Sequence, residues 1–410
     1  MNALTIINIL LCALLALCYA YQFVYIIISY TTKRRAPDTE KRSRLAVLVC
    51  ARNEEAVISR LLSSLAEQDY PKDKYAVFVA ADNCTDTTAR VAREGGATVY
   101  ERHDTEKVGK GFALDFLIKS IKRELGESAF DAFVVFDADN VAAKNYLTEI
   151  NKTLALGYDC VTSYRAPLNY ADNWITAGQG MCFLRDMVLL NRARMVVGGA
   201  SFVSGTGYAF TNRLTESFGG GWPFTTLTED CEFTVYNAVS GTKMGYSDTA
   251  RFYDEQPTKF RQSWNQRIRW CRGGIQVFVK YIRRLLREIF RGKLLSCLDM
   301  AMCMAPAYLI SVGVTLVNTV GTVIALALGT SPVEIAISLA VTLAGVYLAF
   351  LAFSVPLTVS EWKMLGTSST KKLLYMFTFP FFMLTFLPIT CVALVKRRVV
   401  WHQTERKRPQ

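Results

Sequence analysis

Residues 1–32 carry no charged side chain; the first is Lys33. The apolar stretch from Leu4 to Tyr30 exceeds the roughly 20 residues a helix needs to cross a bilayer core of about 30 Å. A signal peptide would start basic and be shorter, so this reads as an anchor. Three more charge-free runs lie near the other end: 300–333, 335–360 and 373–395. The expected layout is an anchor (1–32), a soluble domain (33–275), a membrane region of about three segments (299–396) and a basic tail (397–410).

Lys33, Arg34, Arg35, Lys41, Arg42 and Arg44 follow the anchor, which by the positive-inside rule puts the soluble domain in the cytosol. Ile275–Lys293 interleaves Val277, Phe278, Ile282, Leu285, Leu286, Ile289 and Phe290 with Arg283, Arg284, Arg287, Arg291 and Lys293. That spacing suits a helix over 276–298 lying among lipid headgroups, although a solvated charged face is the plainer reading. The net charge of +12 thus gathers at membrane borders and argues against nucleic acid as a partner. Four crossings would leave the basic tail outside. Pro380 and Pro388 would reverse that by breaking the last run into a re-entrant hairpin.

At 410 residues and 51% hydrophobic, the chain is neither one compact core nor disordered. Only two histidines, His103 and His402, are present, which excludes a His-rich metal site. The 11 cysteines form no Cys-x-x-Cys and read as reduced, buried thiols.

From Leu45 short apolar runs alternate with helical patterns. Strands are expected at Leu45–Cys50, Tyr75–Ala80, Ala97–Tyr100 and Asp131–Phe136, and helices at Glu54–Gln68, Thr85–Glu94 and Gly111–Leu125. Such alternation implies an α/β fold with a parallel sheet, whose ligands gather at the carboxyl ends of the strands. Polar residues cluster there: Arg52-Asn53-Glu54, Asp82-Asn83 and Asp137-Ala138-Asp139. No G-x-G-x-x-G follows the first strand, and Gly109-Lys110-Gly111 lacks the flanks of a P-loop.

Asp137 and Asp139 offer the oxygen ligands that magnesium or manganese takes beside a diphosphate; alone, such a pair is more often a helix cap. Asp82 can accept from a uracil or ribose, or close an Asx-turn. Lys110 can meet phosphate or sit in an exposed loop. Glu229 and Asp230 stand where a helix starts, as caps or as a general base. In Gln266-Arg267-Ile268-Arg269-Trp270, helical spacing puts Gln266, Arg269 and Trp270 on one face. That face offers an amide, a guanidinium fork and an indole, a set suited to a diphosphate beside a sugar ring; an aromatic membrane anchor is the alternative.

In this order the motifs resemble those of the membrane-integrated, family-2 inverting glycosyltransferases, which include the cellulose, chitin, poly-N-acetylglucosamine and hyaluronan synthases. Asp254-Glu255-Gln256-Pro257 and Arg272-Gly273-Gly274 are also similar, and the likeness covers about residues 45–275. It implies a GT-A fold with a mostly parallel sheet, a UDP-sugar donor (UDP-N-acetylglucosamine or UDP-glucose), and Mg²⁺ or Mn²⁺. Arg52, Asn53, Glu54, Asp82, Lys110, Asp137, Gln266 and Arg269 would bind the donor. Asp137 and Asp139 would hold the cation, and Asp230 with Glu229 would supply the base. Trp270, Gly205 and Thr206 would meet a carbohydrate acceptor.

The implied product is a β-linked polysaccharide or oligosaccharide made at the cytoplasmic membrane face. Four spans are fewer than cellulose and hyaluronan synthases carry, which a homo-oligomer or a short product would reconcile. No regulatory domain or gating loop is evident. Two other readings stay open: single-sugar transfer to a polyprenyl phosphate or membrane lipid, and a non-catalytic transporter or scaffold.

Overall fold

The computed structural model describes residues 3–32 and 35–396. Lys33, Arg34 and the tail 397–410, with its basic residues, lie outside the described residues. The first strand, β1 (Leu45–Ala51), is apolar throughout and almost wholly buried, as a central strand covered on both faces must be. β2 (Tyr75–Asp82) and β4 (Ala132–Asp137) flank it in parallel, and β3 (Thr98–Arg102) adds to β2. Beyond β4 come β7 (Tyr208–Thr211), β6 (Cys160–Pro167), β8 (Met244–Asp254) and β5 (Val141–Ala142), giving the order β3-β2-β1-β4-β7-β6-β8-β5. β7 runs antiparallel to both neighbours and β5 antiparallel to β8, so the sheet is mostly, not wholly, parallel. Strand order reverses at β1, and register sets Cys50 opposite Asp137.

The helix Lys110–Leu125 lays Leu114, Leu117, Ile118 and Ile121 on one face of the sheet. Ile58–Ala66 and Tyr146–Ala155 cover the other with Leu61, Leu65, Leu147 and Ile150. Burial of each such side chain contributes about 1.5–3 kcal/mol.

The helix Phe260–Phe290 runs unbroken through residue 275. Its Val277, Tyr281 and Leu285 enter the same core as Leu114 and Phe233, so one face of its basic amphipathic half packs into the sheet domain. Of its large apolar side chains, Val279, Leu286 and Phe290 are exposed, beside the exposed Lys280, Arg283 and Arg287. The last apolar run is not broken into a hairpin at Pro380 or Pro388. Ser369–Leu384 and Phe386–Val395 are joined through Thr385 in right-handed helical conformation, so the chain continues in one direction. The buried guanidinium of Arg267 supports this joint by donating to Phe382 O and Thr385 Oγ1, and lies 4.2 Å from the Phe382 ring centroid.

Among the described residues three helices are long and apolar enough to cross a membrane: Thr5–Thr31, Pro332–Ser360 and Ser369–Val395. The expected second span falls within the helix Leu294–Ala327, whose described apolar parts are Leu294–Met304 and Val312–Ala327.

Candidate active site

The carboxyl ends of β1, β2 and β4 open on one cavity of about 1300 Å³. Arg52, Glu54, Asp82, Lys110, Asp137, Asp139, Gly205, Glu229, Asp230, Gln266, Arg269 and Trp270 all line it, so residues scattered over more than 200 positions meet around one space. Two expected contacts do not. Asn53 adopts a positive φ of 55° and ties the β1 and β2 loops together, accepting from Thr85 N at 2.8 Å. Thr206, expected beside the acceptor, is 1% exposed. Its hydroxyl accepts from the Asp137 amide at 2.8 Å and donates to Asn140, because β7 brings it beneath the end of β4. It positions Asp137.

The other groups are held by partners that the sequence did not reveal. Asp82 pairs with Arg102 across the β2–β3 register at 2.6 Å, both nearly buried. Burial nevertheless pushes the Asp82 carboxyl above its ordinary range, with Arg102 and Arg52 opposing. Lys110 donates to Asp137 and, at 2.7 Å, to Gly205 O. Burial alone would lower its ammonium, yet Asp137 and Glu229 hold it above the usual value. Arg165, on β6, donates to Asp254 at 3.0 Å and to Ser204 O at 2.6 Å, fixing the loop before Gly205. The guanidinium stacks 3.5 Å from the centroid of Phe183, whose ring meets Trp270 edge-on at 5.5 Å.

Glu229 and Asp230 open the helix Glu229–Ser240, where the N-terminal dipole favours carboxylates. Gly205 has φ +80°, and a Cβ there would stand 3.5 Å from Asp230 Oδ2, so glycine leaves the carboxylate open to the cavity. Burial and the charge of Asp230 push Glu229 up to about 7, and burial raises Asp230. Gly273 lets the long helix approach closely: a Cβ would lie 2.4 Å from Thr228 Oγ1. Gln266 accepts from Gln179 at 2.6 Å.

No group of three or more His, Cys, Asp or Glu that could hold a metal occurs among the described residues. Asp137 and Asp139 alone suit magnesium or manganese, which take one or two carboxylates and complete their shell with substrate phosphate and water.

Residues 43–273 match the family described as glycosyltransferase like family 2. The chain belongs to that family. This glycosyltransferase is 30% identical over 246 residues to a beta-monoglucosyldiacylglycerol synthase of Synechocystis sp., covering 58% of the chain and 50% of the relative. It is 28% identical over 272 residues to the enzyme of that name from Nostoc sp., covering 65% and 56%. The match therefore spans about half the length of these curated relatives. Among solved structures, the mannosyltransferase PcManGT from Pyrobaculum calidifontis, in complex with GDP-Man and Mn²⁺, superposes with a TM-score of 0.64 at 20% identity. It covers 96% of this chain and 100% of the other. The glycosyltransferase accordingly has the GT-A fold, with a curled, mostly parallel sheet and apolar helices long enough to span a membrane.

Proposed function

We propose that this glycosyltransferase moves one sugar from a UDP-sugar to a hydroxyl of a membrane lipid, with inversion, at the cytosolic face of a multi-pass membrane assembly. One observation carries the reading: the cavity that holds the carboxylates is also lined by apolar side chains of the long apolar helices. These include Leu15 and Phe23 of Ala3–Thr31, Val346 and Phe353 of Pro332–Ser360, and Phe379 and Leu387 of the last run. Such a chamber suits acyl chains. A growing polysaccharide would need hydrogen-bonding walls, so polymer synthesis becomes the second reading. The names of the curated relatives point the same way.

The lipid hydroxyl attacks the anomeric carbon while the bond to the diphosphate breaks. Asp230 takes the hydroxyl proton as the new glycosidic bond forms. Arg269 and the helix N-terminus before Glu229 face the charge that grows on the departing UDP. Trp270 and Phe183 hold the lipid's polar end in line. A divalent cation held by Asp137 and Asp139 would supply further positive charge to the diphosphate.

Filling the chamber tests this. Val346→Trp should abolish sugar transfer to diacylglycerol while UDP affinity stays within about twofold. Undiminished lipid glycosylation by this variant would overturn the reading.

A further inference from the structure

The wall of the same cavity carries a charged pair to which the mechanism assigns no task. The helix that begins at Trp174 widens into a π-helical turn over Arg185–Asn191, a local geometry that recurs at functional sites. Arg185 Nε and Nη2 both donate to Asp186 Oδ1, at 2.9 and 2.6 Å. Among the described residues neither side chain makes another hydrogen bond or ion pair. Both line the cavity, and each is about a quarter exposed, at 26% and 25%. Arg185 Nη1 is thus left with N–H bonds to give.

The neighbouring pairs have structural work. Arg194 joins Asp299 at 2.7 Å, binding the end of this helical region to Leu294–Ala327, and Arg165–Asp254 bridges two strands. Arg185 and Asp186 are adjacent in sequence and tie nothing together, so holding the fold does not account for them.

We propose that this pair is the binding site for the lipid's backbone, in which Arg185 donates to an acyl ester carbonyl of an uncharged glycerolipid. Asp186 aims the guanidinium and neutralises it. The inference rests on the lipid-acceptor reading above. Charge selects the class of lipid. Arg185, Arg194 and Arg165 are each matched by a carboxylate, so a lipid phosphate would find no uncompensated cation among them and would face Asp186. An ester carbonyl needs only an N–H.

The test measures KM for dioleoylglycerol, for its dialkyl ether analogue and for a polyprenyl phosphate, using the full chain in detergent with UDP-sugar. The wild type should prefer the ester over the ether by about tenfold or more, the worth of a hydrogen bond from a charged donor. In Arg185→Met, which has no donor, that ratio should fall to near one, with UDP affinity unchanged. Asp186→Asn, which leaves Arg185 uncompensated, should bind the polyprenyl phosphate about tenfold more tightly. A wild-type ester-to-ether ratio retained in Arg185→Met overturns the proposal, as does Asp186→Asn that gains no phosphate-lipid affinity. The second variant decides alone if the first does not fold. Wild type that glycosylates diacylglycerol without discriminating the ether sinks this inference only; wild type that glycosylates no lipid sinks the parent reading with it.

Discussion

Arg269 Nη1 donates to the carbonyl of Leu227 at 2.9 Å. The helix that presents Trp270 to the cavity thereby also fixes the loop that delivers Glu229 and Asp230. One contact thus ties the two elements, and a guanidinium placed there also faces both carboxylates.

Asp230→Asn should cut transfer by about 10²–10⁴-fold, the range for loss of a positioned general base. UDP binding, followed by calorimetry, should change little. Lost UDP affinity with normal turnover would assign Asp230 to the donor instead.

The raised carboxyls give two pH signatures of stated sign. Asp230 must be ionised to accept a proton, so kcat/KM should fall as pH drops through its elevated value, above the ordinary Asp range of about 4. Glu229, near 7 in the fold and about 4.3 unfolded, lends stability that is complete below the unfolded value and is lost as pH rises through 7. Glu229→Gln should therefore raise Tm most above pH 8, with the gain vanishing below about pH 4.3. Thermal unfolding across that range checks it.

Thr206→Val leaves the Asp137 amide and Asn140 without their shared hydroxyl. Donor KM should rise about tenfold, on the order of one buried hydrogen bond. Thr206→Ser should restore it, whereas failure of that rescue would point to the methyl's packing.

Arg102→Met would strand Asp82, nearly buried, without its ion partner. Breaking a buried pair costs about 3–5 kcal/mol, and UDP affinity should weaken together with Tm. Asp82→Asn combined with Arg102→Met should recover much of the stability and none of the UDP affinity. Recovery of both would remove Asp82 from the donor site.

The four parallel strands β1–β4 were legible as short apolar runs followed by polar residues, as β4 is by Asp137, whereas β5 to β8, which include the antiparallel pairings, were not expected. The face of Gln266, Arg269 and Trp270 was legible from helical spacing. Thr206, Arg102 and Arg165 were not assigned these roles, since each acts through a partner on another strand that no local pattern names. A basic helix with an apolar stripe looks alike whether the stripe meets lipid or a protein core, which is why the continuity of Phe260–Phe290 went unread. Hydropathy likewise marks apolar helices without showing that they leave a chamber between them.

The most direct measurement is the mass of the product formed by purified protein from UDP-sugar, Mg²⁺ or Mn²⁺ and diacylglycerol. The account predicts a chloroform-soluble lipid heavier by one sugar residue. A water-soluble ladder of sugar oligomers, or UDP release with the lipid unchanged, would contradict it.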